Sequence, residues 1–269
     1  MRYTKFACIL LSTASISLAG CASDHATTAA SNTSVTEVSS SAISEKGSTA
    51  LSKISTSNPK KKQFDVNQIH TIRILSTAAH ITVIGDHQLS QAQYELIDGT
   101  SSSMETDVSG TINDNTLTIK LHSKQKSFIN TDSPPSLIVR VPVKDYDTLE
   151  INNDFGKLSL ESESGLYPSH LVVNGSASDI SSSNVMGMES TKLHTEFGKI
   201  TFDLPEKLES LAVELSTNMG SITNNVELDG ASTSNMIVSK KVKGHIGAAN
   251  TKSPSLLIST QVGEIKLNH

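Results

Sequence analysis

The chain has 269 residues, a formal net charge of −5, no Trp, four Tyr and two Cys. Its charges are mixed and Lys60-Lys61-Lys62 is its one run of three consecutive basic residues, so the concentrated basic face that nucleic acid requires is missing and no nucleic-acid partner is expected. The three lysines read as a solvated run, with contact to anionic lipid headgroups as the alternative.

In chain order, the first element is a short apolar run, Phe6 to Ile16, just after Arg2 and Lys5. It is too short for a span of about 20 apolar residues and has the shape of a signal-peptide core. Leu18-Ala19-Gly20-Cys21 follows it. These four residues resemble the lipobox of bacterial lipoproteins, in which a diacylglyceryl group alkylates the cysteine thiol and cleavage falls just before it. The resemblance implies a signal peptide over 1–20, lipidation at Cys21, and attachment to a membrane through that anchor. Two or three acyl chains hold a protein stably where one does not. The alternative is an ordinary secretory signal cleaved after Ala19 or Ala22. Ala22 and Ser23 lack the aspartate that retains such proteins in the inner membrane, so the resemblance implies the outer membrane, with the chain periplasmic or surface-exposed. Cys8 falls inside the signal segment, so the processed chain is expected to form no internal disulfide.

Residues 21–63 are Ser, Thr and Ala with scattered charges. Through Pro59 the segment has no aromatic residue, cannot bury enough apolar surface to fold, and reads as a disordered linker. About 40 residues of coil span roughly 35 Å, enough to stand a domain off a membrane.

From 64 to 269 the pattern changes to short segments that alternate apolar and polar residues. One frame recurs. Leu149-x-Ile151 leads through Phe155-Gly156 to Leu158-x-Leu160, and Leu171-x-Val173 leads through Ala177-Ser178 to Ile180. Leu193 leads through Phe197-Gly198 to Ile200-x-Phe202, and Val213-x-Leu215 through Met219-Gly220 to Ile222. Met236-x-Val238 leads through Lys243-Gly244 to Ile246, Ile258 through Val262-Gly263 to Ile265, and Ile72-x-Ile74 through Ala78-Ala79 to Ile81. A period near 21 residues predicts a right-handed parallel β-solenoid, with two short strands and a bend in each coil. Glycine at the bend predicts positive φ or close approach between coils, notably at Gly198 and Gly220. A β-sandwich would also supply short alternating strands, but not a repeated Gly-x-Ile frame. Between Leu89 and Val143 the frame lapses. There Leu117-x-Ile119-x-Leu121 and Leu137-x-Val139-x-Val141 suggest a meander or an inserted irregular coil, with a turn at Asn113-Asp114-Asn115.

Asp154-Phe155-Gly156-Lys157-Leu158 and Glu196-Phe197-Gly198-Lys199-Ile200, with the strand end at Pro142 before them, resemble the bacterial putative adhesin domain of unknown function. The resemblance covers about residues 64 to 268. It implies a secreted or membrane-attached β-solenoid and brings no catalytic residues with it.

Stacked coils turn the frame into columns. The column before the aromatic is expected to hold Asp154, Ser176, Glu196, Asn218, Val242 and Gln261, a polar ladder. Asp154 and Glu196, two coils apart, would be roughly 9–10 Å apart, near the upper end of the 6.5–9.5 Å, or roughly that, of an inverting glycosidase. An envelope polysaccharide hydrolase or lyase is thus the alternative function. The next column, Phe155, Ala177, Phe197, Met219, Lys243 and Val262, is expected to face the core; facing outward, it would form an apolar groove for a partner. The column after it, Lys157, Asp179, Lys199, Ser221, His245 and Glu264, begins with alternating charge. The nine His show no ligand spacing, and the calcium nonapeptide, phosphate loops and G-x-S-x-G are missing, so no metal, cofactor or nucleophilic catalysis is expected. The expected function is non-catalytic surface binding in the cell envelope, as adhesion, structure or sensing, toward an unidentified envelope protein or polysaccharide.

Overall fold

The computed structural model describes residues 60–97, 104–125, 134–248 and 253–269. The signal segment, Cys21 and the linker up to Pro59 lie outside the described residues. Fifteen strands are described: β1 Lys60–Asp65, β2 Thr71–Ala78, β3 His80–Asp86, β4 Gln91–Ile97, β5 Met104–Asn113, β6 Thr116–Gln125, β7 Ser136–Pro142, β8 Thr148–Leu166, β9 His170–Val185, β10 Ser190–Phe197, β11 Ile200–Asp203, β12 Leu211–Asn224, β13 Asp229–Asn235, β14 Lys240–Ile246 and β15 Ser255–Asn268.

Parallel ladders join the coils, and they match the repeated frame in register. Ile74 pairs with Ile151, Ile151 with Val173, Val173 with Leu193, Leu193 with Ile258, and Ile258 with Leu215. On the other side of the bend Ile81, Leu158, Ile180, Ile200, Ile265 and Ile222 form a second ladder. Each of these side chains is buried except Ile222, in the outermost repeat, which is partly buried. One side chain per coil thus builds a column of identical apolar contacts, the arrangement that stabilises a solenoid. A β-sandwich is antiparallel and has no such ladders.

The coils do not stack in chain order. The last repeat, β15, lies between β10–β11 on one side and β12 on the other. At the opposite end, the β2–β3 coil lies between β8 and an outer layer made of β6 and β7. That outer layer is the irregular coil suggested by Leu117 and Leu137, which pair with Ile72 and Ile81. Asp114 and Asn115 form its preceding turn, at φ 46° and 60°, as a type I′ hairpin demands.

One copy of the frame fails. Met236 and Val238 are exposed at the end of an antiparallel hairpin, β13–β14, whose β14 pairs antiparallel with β12. Val242 therefore faces Leu215 and Lys243 faces Glu214, and neither joins the columns expected of them; His245 faces Ala212. Antiparallel strands also close the other end, where β1 pairs with β4 and β4 with β7. The solvated lysine run forms the start of β1, the first of the described strands. Lys60 and Lys62 donate to the carbonyls of Thr106 and Gly110, at 2.8 and 3.0 Å. Lysines on such a strand discourage edge-to-edge association.

The bends show why the frame needs glycine. A Cβ on Gly156 would stand 2.1 Å from the Ala79 carbonyl oxygen, and one on Gly198 2.3 Å from that of Ser178. Their φ angles are +123° and +145°, which a side chain disfavours. Three residues before each bend, a small polar side chain points inward: Ser76, Asn153, Thr195, Thr260 and Thr217 are all buried. Asn153 donates to the carbonyls of Ala79 and Phe155, and the Thr195 hydroxyl to those of Ser178 and Phe197. The exception is compensated locally. Where the bend residue is Ser178, the inward position is Gly175, and a Cβ there would meet the Ser178 Cβ at 2.7 Å. The Ser178 hydroxyl instead donates to the Asn153 carbonyl at 3.0 Å.

The two positions have exchanged their side chains. Gly175→Thr alone should therefore cost about 1–3 kcal/mol through overpacking, and adding Ser178→Gly should recover most of it. Thermal unfolding of the single and double variants checks this. A double variant less stable than Gly175→Thr would contradict the exchange.

Candidate functional site

Along a strand, side chains alternate in and out, yet the inward positions Ile151 and Asn153 are followed by inward Leu158. The interval from 153 to 158 is odd, so the alternation must slip once, and it does so at the bend. Asp154 and Phe155 both point outward as a result. This corrects the expectation that the aromatic column faces the core. Phe155, Phe197 and Met219 are 58, 55 and 58 % exposed.

The register sets the spatial order of the outward column as Ala78, Phe155, Ala177, Phe197, Val262 and Met219. It is an apolar ridge along one edge of the stack, made partly by the intercalation of β15, which places Val262 between Phe197 and Met219. Ala177 interrupts it. Beside the small Ala177 side chain, a shallow depression of about 430 Å³ is lined by Gly156, Ala177, Ser178, Gly198 and the Phe197 ring. His80, Lys157 and Asp179 border it. Burial, then the neighbouring Lys157, hold the His80 imidazole below its usual pKa, so the neutral ring is favoured, and its Nδ1 accepts from the Lys157 backbone N–H at 3.2 Å.

The polar column lies beside this ridge. Asp154, Ser176, Glu196, Gln261 and Asn218 follow one another across the coils, Val242 being excluded. Asp154 and Glu196 are two coils apart as the frame implies, and both are exposed. Asn218 Nδ2 donates to Gln261 Oε1. No described cavity has either Asp154 or Glu196 in its lining. The column beyond the ridge gains from the layer order too. Lys157, Asp179, Lys199 and Glu264 alternate in sign over four successive coils, with Lys199 Nζ 3.0 Å from Glu264 Oε2 and the Lys199 N–H donating to Asp179 Oδ1 at 2.9 Å. His245 is not among them. Such exposed pairs contribute tenths of a kcal/mol or so each.

Two features escaped sequence reasoning. A groove of about 670 Å³ runs along the far ends of the coils, lined by Asp86, His87, Arg140, Glu161, Ser181 and Asp203 among others. Several of its polar groups have partners within it or just beside it: Ser159 Oγ donates to Glu161 Oε1 at 2.6 Å, the neighbouring Asn268 Nδ2 to Asp203 Oδ1 at 2.7 Å, and the neighbouring Ser164 Oγ lies 2.9 Å from His87 Nδ1. These residues come from layers far apart in sequence, so no spacing could have gathered them. The second feature is the exposed apolar end of the β13–β14 hairpin. Among the described residues, no group of three or more His, Cys, Asp or Glu is arranged to hold a metal ion.

No curated protein matches the chain. Among solved structures, a putative cell adhesion protein from Clostridium sporogenes shares the fold at a TM-score of 0.51 and 12 % identity, over 78 % of this chain and 99 % of its own. A putative adhesin from Bacteroides fragilis aligns with a TM-score of 0.28 at 12 % identity, over 79 % of this chain and 98 % of its own. The family model of Toastrack DUF4097 matches residues 69–269, the whole stack of coils from just before β2 to the chain's last residue, and the chain belongs to that family.

Proposed function

We infer that the protein is a lipid-anchored, non-catalytic binding module of the cell envelope, held at the outer membrane through Cys21. It acts through the apolar ridge at the edge of its solenoid. The observation that carries this reading is the outward ladder Phe155–Ala177–Phe197–Val262–Met219. Large apolar side chains exposed singly are ordinary, but an aligned row of them marks a contact surface. The depression over Ala177 gives a partner's apolar side chain a seat against the Phe197 ring, and the alternating charges beside it give orientation. The fold shared with a protein named for cell adhesion is consistent with such a role. The partner is an envelope protein or polysaccharide. The linker after Cys21 gives the ridge reach from the membrane surface.

Catalysis is disfavoured by the polar column itself. Asp154 and Glu196 stand on an open edge, where water screens both carboxylates and nothing encloses a substrate. A general acid needs an environment that sets its pKa apart from that of its partner.

The test uses intact cells and has two arms. Cys21→Ser should abolish metabolic acyl labelling, because a hydroxyl is far less nucleophilic than a thiolate; label retained in that variant would refute the anchor. A photoreactive side chain at position 197 should give a crosslinked adduct that one at position 161, in the groove, does not. Adducts from 161 alone would move the binding surface to the groove.

A further inference from the structure

The β13–β14 hairpin is the least buried part of the stack. Every residue of β13 is exposed, so that strand contributes nothing to the core. The loop joining it to β14 is Met236-Ile237-Val238-Ser239, closed by a hydrogen bond from the Met236 N–H to the Ser239 carbonyl at 2.8 Å. Its three apolar residues are 67, 104 and 62 % exposed. Hairpin loops are ordinarily Gly, Asn, Asp or Ser, which satisfy the turn and meet water at no cost. Three consecutive apolar side chains offered largely to solvent have no structural use here, because none of them packs in or against the core.

The charge around the tip is the second observation. Residues 229–246 carry three lysines against one aspartate, in a chain whose net charge is −5. Lys240 follows directly after the tip and makes no ion pair among the described residues. Lys241 and Lys243 both reach Glu214, at 2.6 and 2.8 Å, so a single carboxylate holds two ammonium groups and the cluster stays positive. The hydrogen bonds from Lys241 and then Lys243 keep the Glu214 carboxyl below its usual pKa. An apolar point with a basic collar matches one surface chemistry, that of a bilayer whose anionic headgroups meet the lysines while the point enters the acyl boundary.

We propose that the tip Met236–Val238 inserts shallowly into an anionic lipid surface, with Lys240 and the Lys241–Lys243 pair against the headgroups. A second copy of the chain is a poorer occupant: three residues on a narrow hairpin offer far less than the roughly 800 Å² per partner of a stable protein interface. The proposal is independent of Cys21, since it concerns where the folded domain touches the bilayer and not what tethers it.

The chain has no tryptophan, so one introduced residue reports its own surroundings. Ile237→Trp in the full chain is mixed with phosphatidylglycerol-containing vesicles whose acyl chains are brominated, and Gln88→Trp, on the groove side, is the control in the same chain. Emission from Ile237→Trp should shift to the blue and be quenched several-fold more than the control, and adding Lys240→Gln and Lys241→Gln should weaken this. Attachment through the N-terminal segment is common to both chains and cancels. Quenching no greater than the control overturns the proposal. So does equal quenching on purely zwitterionic vesicles, or a blue shift that grows with protein concentration without vesicles, which would assign the tip to self-association.

Discussion

Gly263→Val is expected to destabilise the fold by about 3 kcal/mol or more, the range of substitutions that force both a steric clash and a disfavoured backbone. For a domain of this size that lowers the Tm by roughly 6–12 °C. Gly263 is the bend of the intercalated coil. A Cβ on it would stand 1.8 Å from the Gly198 carbonyl oxygen, and on its other side a Cβ on Gly220 would stand 1.8 Å from the Gly263 carbonyl. Both obstacles are backbone, held by ladders on either side of β15, so neither can rotate away as a side chain would. The control is Gly230→Ala, whose φ is +60° but whose added Cβ would meet nothing within 4 Å. It should cost about 1 kcal/mol from conformation alone. Equal melting temperatures for Gly263→Val and the wild-type chain would refute the close approach of the bends.

Much of this fold is legible in the sequence because each coil repeats the same demand. An apolar pair at i and i+2, a bend, and a second apolar pair fix which residues face inward, and Ile151, Val173 and Leu193 do so at 0, 0 and 1 % exposure. The bend glycines are legible for the same reason. Layer order is not. Every copy of the frame has similar edges, so nothing in Leu256 or Ile258 says that they belong beside Leu193 before Leu215. The connections decide it, and the long one between Asn224 and Ser255 gives β15 the freedom to return into the gap. Met236 and Val238 mislead because apolar spacing alone does not show whether the chain runs on as a coil or turns back. Lys240-Lys241, where a coil would carry alternating residues, was the available signal.

The candidate site was legible in composition and misread in orientation. Phe155 and Phe197 stand out as residues of the frame with no fixed place in it, and extending the period-2 pattern through the bend assigns them to the core. Asn153 and Leu158 cannot both face inward without a slip between them, and that slip falls before Phe155, which therefore points outward. Asp154 and Glu196, each one residue past an inward position, face the solvated edge by plain alternation. They lie two coils apart in the register, as the frame implies. What that distance means depends on enclosure, which no single coil encodes.

Loss of the ridge should abolish function while loss of the carboxylates should not. Phe155→Ser with Phe197→Ser removes two rings that are more than half exposed and lie outside the core, so the variant should fold and localise as the wild type does. Asp154→Asn with Glu196→Gln removes two solvated charges whose structural contribution is tenths of a kcal/mol or so. The decisive measurement is complementation of a strain lacking the gene by each double variant, alongside release of sugar fragments from purified peptidoglycan and surface polysaccharide. The surface-binding account predicts that the acidic double variant complements fully, that the aromatic one fails, and that wild-type protein releases no fragments. A catalytic pair would lose a factor of about 10² to 10⁴ in rate with its acid or base. Full complementation by the aromatic variant, failure of a folded acidic one, and sugar release by the wild-type protein would together contradict the account.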